Sequence, residues 1–450
     1  MSPLNVPFAR SQFPSLSTTT TTKPYIFADN AGGSQVPNTV ISRITDYFSN
    51  TNVQLGADYS VSQVTTKRVL QEAPQHAKVL IGASHPDEIV FGASTTISLE
   101  NLARGLEVGG TINAGDEFIV TGEHEANVGP WKKLAARKGL TVKYWHVTPT
   151  PTPSGRPNPY SVSHKIQDLL PLITAKTRLV AFSACSNLLG TIVPVKEVVK
   201  AIREKAKEVG APKVEVCVDC VAFAPHRKVK AVEWDVDYCV FSFYKVYGPH
   251  TAALYVRSTA LQSSVGSLAH HFLDVPDEPY KLQPGGPGYE LVYGSTGIVP
   301  YLLSLENPNS AHENAGKTEE DRIDAVFDAI ADHEQELLKV LLGYLTADKQ
   351  YARGVRIVGE EGVGTTKERV PTVSFVVVGD KPLKSRTIVD VFDRAGGVGI
   401  RWGHFYAYTL VDELRPKLDV NDGVVRISLV HYNTTEEVDR IIEILKGVLA

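Results

Sequence analysis

The sequence predicts an α/β protein, with a large domain built on a mainly parallel sheet and a smaller α+β domain after it. Between residues 88 and 256, apolar runs of strand length alternate with stretches of helical period. That alternation is typical of a parallel sheet covered by helices on both faces. After about residue 300 the pattern changes to one long amphipathic helix followed by short strands, and 450 residues suffice for two domains.

The elements of the first domain follow from apolar runs bounded by turn residues and from helix-period stretches between them. The strands are expected at 88–91, 117–121, 141–146, 178–183, 214–219, 238–241 and 252–256. The helices are expected at 94–106, 130–138, 163–173 and 195–209. Ligands of such sheets bind at the carboxyl ends of strands, so residues just after each strand carry the most functional weight.

The second domain is expected to begin with a helix over 318–346. Strands at 355–358, 372–378 and 424–428, a helix at 385–395 and a closing helix from 435 complete it. The stretch 275–297, rich in Pro and Gly, is interpreted as a loop leading to the boundary, and the threonine run 18–22 as a solvated loop. The domains are therefore predicted as an N-terminal segment 1–30 packing on the small domain, a large domain 31–300 and a small domain 301–450.

Composition and charge exclude several classes of protein. With 43% hydrophobic and 21% charged residues, the chain matches an ordinary globular protein. A formal net charge of −4 gives no electrostatic case for binding nucleic acid or an anionic membrane. No stretch approaches the roughly 20 apolar residues that cross a bilayer. The N-terminus lacks the basic start and apolar core of a secretory signal, so a cytoplasmic location is expected.

The cysteines are expected to be buried reduced thiols. Cys185, Cys217, Cys220 and Cys239 all lie in apolar, strand-like runs. Their spacing fits neither a metal site nor a disulfide framework, so no metal is predicted.

Lys245 is the strongest local candidate for chemistry. An apolar strand delivers this lone lysine into the turn Gly248-Pro249, and another strand follows. A lysine held between strands can be desolvated, which lowers its pKa and makes the neutral amine a usable nucleophile. The alternative interpretation is a lysine in a surface turn.

Asp219 is the last residue of the predicted strand 214–219, which precedes the strand leading to Lys245. A carboxylate is costly to bury there without a cationic partner, and a protonated pyridine nitrogen is one candidate. The alternative is an aspartate that caps the following turn.

Hydroxyl groups also follow a predicted strand, at Ser94-Thr95-Thr96, where a helix opens. Side-chain hydroxyls and free backbone N–H groups at a helix N-terminus form a ready phosphate site. Simple N-capping is the commoner use of such residues.

Three further residues suit other parts of one cofactor-and-substrate site. His124 follows a strand and could stack on an aromatic ring or move a proton, unless it is a surface histidine. Asn187, beyond another strand, could bond a ring hydroxyl or merely shape its turn. Arg401, in the smaller domain, offers a fork for an α-carboxylate or a structural ion pair. Separate strand ends thus each offer a group suited to one part of the same cofactor.

With these residues assembled, the chain resembles class-V aminotransferase-fold enzymes, specifically the cysteine-desulfurase-like branch. The resemblance runs from residues 28–37, ADNAGGSQVP, to residues 425–434, VRISLVHYNT, which is nearly the whole chain. It implies the fold-type-I architecture of transferases that depend on pyridoxal 5'-phosphate (PLP). It also implies homodimers whose active sites are shared between subunits.

The resemblance implies a role for each matching position. Lys245 would form the Schiff base to the cofactor, Asp219 would pair with its ring nitrogen, and His124 would stack on the ring. The remaining cofactor contacts would come from Ser94, Thr95, Asn187, Ser242 and Tyr244, with Ser295 and Thr296 reaching the partner's phosphate. The substrate would be held by Arg401, Gln35, Gln54 and Tyr406.

Two departures from the family pattern bear on the reaction. Desulfurases carry a histidine just before the Schiff-base lysine, and here that residue is Tyr244. Their mobile loop carries the cysteine that takes up sulfur, and the corresponding stretch 401–406 reads RWGHFY, with Tyr406 at the thiol position. Because a phenol cannot become a persulfide, sulfur transfer through an enzyme persulfide is not expected.

The sequence therefore predicts a PLP-dependent enzyme that binds an amino acid as an external aldimine and labilises a Cα bond. Specialised biosynthesis, such as amino-acid or alkaloid cyclisation, is the favoured setting. Carbon–sulfur lyase or desulfurase-like, epimerase and aminotransferase activities remain open, and a non-catalytic scaffold of this fold is the remaining alternative. A nucleotide-binding Rossmann enzyme is disfavoured because its glycine fingerprint is missing. The aromatic loop around Tyr406 predicts a bulky or apolar substrate in preference to cysteine.

Overall fold

The computed structural model describes residues 3–17, 25–273, 279–306, 316–362 and 368–450, and the threonine run lies outside these ranges. Its centre is a seven-stranded sheet. In chain order the strands are β1 Ile89–Gly92, β2 Glu117–Thr121, β3 Thr141–Trp145, β4 Thr177–Ser183, β5 Glu215–Asp219, β6 Tyr238–Ser242 and β7 Ala252–Val256.

The spatial order of this sheet is β1-β7-β6-β5-β4-β2-β3. Strand β7 pairs antiparallel with both neighbours, and the remaining neighbours are parallel. The expected mainly parallel sheet is confirmed. Strands β5, β6 and β7 are buried along their whole length, which explains why they read as continuous apolar runs.

Helices cover both faces of the sheet, and each face packs against a separate apolar cluster. The helices of this domain are Asn38–Asn50, Ser60–Lys67, Ala73–Ile81, Thr95–Val108, Gly129–Lys138, Ile166–Leu169, Val195–Glu208, Ser258–Ser263, Tyr289–Ser295 and Ile298–Ser304. Two expectations were wrong here. Stretch 163–173 forms only a four-residue helix and a 3₁₀ turn, since Pro171 interrupts it. Helix Tyr289–Ser295 forms within the stretch interpreted as a loop.

The smaller domain is built on a four-stranded antiparallel sheet. Its strands are β8 Val355–Val358, β9 Thr372–Val377, β10 Arg401–Gly403 and β11 Val424–Ser428, in the spatial order β8-β9-β11-β10. Helices Glu319–Leu345, Asp348–Arg353, Ser385–Ala395, Tyr408–Glu413 and Thr435–Val448 accompany it. The long helix starts at a capping box in which Thr318 and Asp321 satisfy each other's backbone N–H groups.

The long helix joins the two domains because its two halves belong to different cores. Ile323 and Phe327 pack in the core of the large domain, whereas Leu338 and Leu342 pack in that of the small domain. No single residue near 300 therefore separates the domains.

The N-terminal segment is divided in the same way. Ile26–Phe27 pairs parallel with Val398–Gly399, and Ile26 lies in the small-domain core. Phe13, by contrast, is buried in the large-domain core. The segment thus packs on both domains. No helix in the described ranges is long and apolar enough to cross a membrane.

Candidate active site

The carboxyl ends of the parallel strands open on one cleft with an empty volume of about 490 Å³, open solvent included. Its lining includes Ser94, Thr95, His124, Asn187, Asp219, Ser242, Tyr244 and Lys245, all singled out from the sequence, together with Thr96, Ala126, Ser183, Cys185, Val221 and Ala222. The lining comes from segments that follow β1, β2, β4, β5 and β6. This is where ligands of open α/β sheets bind.

Lys245 ends a 3₁₀ turn that follows β6, and it is 5% exposed. Its Nζ forms no hydrogen bond or ion pair with any described residue and lies 5.9 Å from the ring centroid of Tyr244. Burial lowers the pKa of the Lys245 amine, and the Arg426 guanidinium lowers it further, whereas Asp219 raises it. A buried amine of lowered pKa is available as a nucleophile.

Asp219, the last residue of β5, is buried at the cleft floor. Its Oδ1 accepts a hydrogen bond of 2.8 Å from the backbone N–H of Val221. Burial raises the pKa of this carboxyl, against the lowering effects of the Val221 N–H and of Lys245. Such a carboxylate gains most from a cationic partner that shares its buried site.

His124 lies after β2 with its ring 5.4 Å from that of Tyr406. Its Nδ1 accepts from the backbone N–H of Ala126 at 3.2 Å, which fixes the ring orientation. Burial, with the nearby cations Lys245 and Arg426, lowers the pKa of His124 to about 4. The imidazole is therefore neutral at pH 7 and suited to packing on an aromatic ring.

A group of hydroxyls surrounds the N-terminus of helix Thr95–Val108. Ser94 is the N-cap and accepts from the backbone N–H of Ile97 at 3.3 Å. The Thr95 and Ser242 hydroxyls lie 2.8 Å apart and join this helix to the end of β6. The positive end of a helix of 14 residues, with hydroxyls beside it, suits a phosphate group.

Asn187 connects the cleft to the loop after β10. Its Nδ2 donates to the carbonyl oxygen of Phe405 at 2.9 Å. Its Oδ1 is buried without a hydrogen-bond partner among the described residues. Buried polar atoms are nearly always bonded, so this oxygen fits a site where a ligand hydroxyl donates to it.

Two arginines share the carboxylate of Asp29 near the cleft. Arg401, expected to bind substrate, pairs with Oδ2 at 2.7 Å, and its side chain is 57% exposed. Arg426 pairs with Oδ1 at 2.9 Å, its side chain is 2% exposed, and its guanidinium lies 3.8 Å from the Phe405 ring centroid. Sequence reasoning missed Arg426, although a lone arginine among the apolar residues of the strand Val424–Ser428 was a usable signal.

Several other residues expected in the site lie away from the cleft lining. The backbone N–H of Gln35 donates to the Tyr432 hydroxyl at 3.1 Å, and the Gln54 amide donates to Tyr289 at 3.2 Å. Tyr406 lies beside His124 but is 70% exposed. None of these side chains lines the cleft, nor does that of Arg401.

Ser295 and Thr296 also lie outside the cleft. Both are buried at the end of their helix, and their hydroxyls donate to the backbone carbonyls of Val292 and Tyr293 at 2.7 Å. Within one chain the structure therefore gives them a helix-capping position.

The four cysteines are all buried and free, and Cys185 alone of them lines the cleft. Burial raises the pKa of the thiols of Cys185, Cys217 and Cys220, which leaves them poor nucleophiles. Within the described ranges no cluster of His, Cys, Asp and Glu could hold a metal ion.

Comparison with known proteins identifies relatives over nearly the whole chain. A family model described as aminotransferase class-V matches residues 26–326 and 322–441. The aminotransferase-like protein FGM3 of Gibberella zeae is 41% identical over 445 residues, covering 98% of this chain and 97% of that protein. The cysteine desulfurase-like protein ustD of Aspergillus flavus is 30% identical over 445 residues, covering 97% and 88%.

A solved structure shows the same fold. The apo cysteine desulfurase of Thermococcus onnurineus NA1 superposes with a TM-score of 0.79 over 100% of this chain and 99% of that one, at 22% identity. The expected α/β architecture of fold type I is confirmed.

Proposed function

The chain belongs to the aminotransferase class-V family and is a PLP-dependent enzyme, and on that premise we propose that Lys245 is the residue that holds the cofactor. One observation carries the proposal. Lys245 is a buried lysine without a hydrogen bond or ion pair among the described residues, and it shares a cleft with Asp219 and the hydroxyls of a helix N-terminus. When bound, PLP supplies an electron sink that stabilises negative charge at the substrate Cα.

The residues of the cleft fit the parts of this cofactor. Ser94, Thr95 and Ser242 would hold the phosphate at the helix N-terminus. Asp219 would hold a proton on the ring nitrogen, and the neutral imidazole of His124 would pack on the ring face. These two contacts would orient the ring and exclude water from it, and we assign them from burial and strand position.

Asn187 and Lys245 would have different roles, since Asn187 would bind the cofactor ring and Lys245 would move a proton. The unpartnered Oδ1 of Asn187 would accept a hydrogen bond from the ring hydroxyl. The Lys245 amine, whose pKa burial lowers to about 8, would take the proton from the substrate Cα and return it.

We place the substrate carboxylate at the arginine pair that shares Asp29. Arg426 is the stronger candidate, because a desolvated guanidinium gains most from a bidentate carboxylate. Arg401, exposed at the rim, would assist it.

The reaction we favour is labilisation of a Cα bond in a bulky or apolar amino acid, in a specialised biosynthetic step such as cyclisation. Phe405, whose carbonyl accepts from Asn187, and Tyr406, whose ring lies 5.4 Å from that of His124, support an apolar substrate. By the resemblance to desulfurases, position 406 would be that of their reactive cysteine. A carbon–sulfur lyase that needs no enzyme thiol is the second candidate. It is supported by the similarity to the cysteine desulfurase-like protein ustD.

A homodimer is proposed on the surface formed by helices Asn38–Asn50 and Ser60–Lys67 and the turn after them. Phe48, Tyr59, Val64 and Leu70 are each exposed by between 45% and 56% there. Contiguous exposed apolar side chains are typical of an interaction surface, and these four come from one stretch of the chain, residues 48–70. Light scattering after size-exclusion chromatography tests it, and a monomeric mass would refute it.

Borohydride reduction followed by peptide mass spectrometry tests the central assignment. The cofactor is expected on the peptide that contains Lys245, and Lys245→Ala is expected to lose both the adduct and turnover. A Lys245→Ala protein that keeps its yellow colour and full turnover would refute the assignment. Turnover of L-cysteine and of larger amino acids in deuterated water then separates the two candidate reactions.

A further inference from the structure

We propose that a second cavity beside the active site binds a small alkylammonium ion. Its empty volume is about 720 Å³ with open solvent included, and it shares no lining residue with the cofactor cleft. Glu123 and Ser186, which line it, directly precede His124 and Asn187 of the cleft. The two sites are thus neighbours built on the same strand ends.

The cavity contains buried polar atoms that have no hydrogen-bond partner among the described residues. Glu123 is 3% exposed, and its Oε2 accepts from Ser186 at 2.8 Å, but its Oε1 is unbonded. Both ring nitrogens of His164 are also unbonded, although its Nε2 lies 3.4 Å from Glu123 Oε1. The Thr191 hydroxyl is the fourth such atom. Because buried polar groups are normally satisfied, these atoms mark a place for a ligand that donates hydrogen bonds.

The charge of the lining selects a cation. Glu123, Glu360 and Glu368 contribute carboxylates, and no described lining residue is Lys or Arg. Arg369, which follows Glu368 in the chain, is buried outside the lining and donates to the backbone carbonyls of Glu360 and Thr372. A cavity lined by one sign of charge with low-dielectric walls concentrates ions of the opposite sign.

The remaining wall selects an organic cation. Segment 189–194 contributes leucine, isoleucine, valine and proline side chains to the lining, which gives an alkyl chain apolar surface to cover. In the described part of the chain no three acidic, His or Cys side chains converge closely enough to coordinate a metal. An ammonium group would donate to Glu123 Oε1, Thr191 Oγ1 and the acceptor nitrogen of His164.

The test is calorimetric titration of the cofactor-loaded enzyme, reduced beforehand with borohydride, with n-butylamine. Its ammonium group has three N–H donors, and the reduced cofactor carries no imine with which the amine could exchange, so binding at this cavity is measured without covalent reaction at the cleft. One site per chain is expected. Glu123→Gln should weaken binding about tenfold or more, because a charge-assisted hydrogen bond is lost. Glu125→Gln, which alters the neighbouring exposed carboxylate, should leave the affinity unchanged.

Thr191→Val provides a second variant in case the buried Glu123 substitution impairs folding, and it should weaken binding severalfold while the melting temperature stays within a few degrees. The proposal is overturned if no heat of binding appears, or if a neutral alcohol of equal size binds as tightly. It is also overturned if potassium ions alone bind with the same dependence on Glu123. Because the readout is binding, the result does not depend on the assignment of Lys245.

Discussion

The side-chain amide of Asn187 donates to the backbone carbonyl of Phe405 at 2.9 Å and so ties the end of a large-domain strand to the loop beside Tyr406. The same side chain leaves its Oδ1 buried and unbonded in the cofactor cleft. One residue therefore connects the ring-binding region to the substrate loop.

Asn187→Ala is expected to disturb both the ring-binding region and the substrate loop. Loss of an acceptor for the ring hydroxyl should change the pH dependence of the visible absorbance of the cofactor, and kcat/KM should fall about tenfold, the effect of one hydrogen bond. Asn52→Ala, at an exposed position, is the matched control. An unaltered absorbance titration in Asn187→Ala would contradict the assigned role.

Arg426 and Arg401 should differ in their effect on substrate binding. Arg426→Lys removes a buried bidentate fork and should raise KM for the amino acid by about one to two orders of magnitude, whereas Arg401→Lys should raise it severalfold at most. The corresponding amine without the carboxylate should be nearly unaffected by Arg426→Lys. Equal losses for the amino acid and the amine would show that Arg426 does not bind the carboxylate.

Iodoacetamide should leave the native enzyme active. All four thiols are buried, and burial raises the pKa of the thiol of Cys185 in the cleft lining, so little thiolate is available for alkylation. Intact mass and residual activity report the outcome together. Alkylation of Cys185 with parallel loss of activity would instead reopen a thiol-dependent reaction.

His431 should make the free energy of unfolding depend on pH in the acidic range. Burial, with His333 and His226 nearby, lowers its pKa from 6.5 to about 3 in the folded protein, where its nitrogens lie 2.5 Å from the Tyr301 hydroxyl and 3.0 Å from the Tyr247 hydroxyl. Below pH 6.5 the unfolded chain takes up a proton that the folded chain refuses. The free energy of unfolding should therefore fall as the pH drops from 6.5 towards 3, by about 1.4 kcal/mol per pH unit from this group.

Denaturant unfolding of the cofactor-loaded protein at pH 7 and pH 5 measures that slope. His431→Gln should be less stable at pH 7 and should lose less stability on acidification than the unaltered protein. Parallel slopes in the two proteins would assign the acid sensitivity to other groups.

The ends of several strands could be predicted from the sequence because each buried strand is largely a continuous run of apolar residues. Residues 117–121, 252–256, 355–358 and 424–428 form strands with the predicted bounds, and Lys245 and Asp219 line one cleft as expected. Contacts between residues that are far apart in the chain leave no such local pattern in the sequence. The pairing of Asp29 with Arg426 joins residues 397 positions apart, and no periodicity predicts it.

In the stretch 163–173 a local pattern is present, but it predicts the wrong structure. Its apolar spacing favours a helix, yet Ser163 pairs in a short strand with Thr148, and the proline at 171 restricts the turn that follows. Tertiary pairing there outweighs helical propensity.

Because all four native thiols are buried, a single reporter group could be attached to the loop that contains Tyr406. A Tyr406→Cys protein would carry one outward-facing sulfur against a silent background, because position 406 is 70% exposed while every natural cysteine is covered. A spin label or fluorophore at that position would then report any movement of the loop when substrate binds, without first removing the native cysteines.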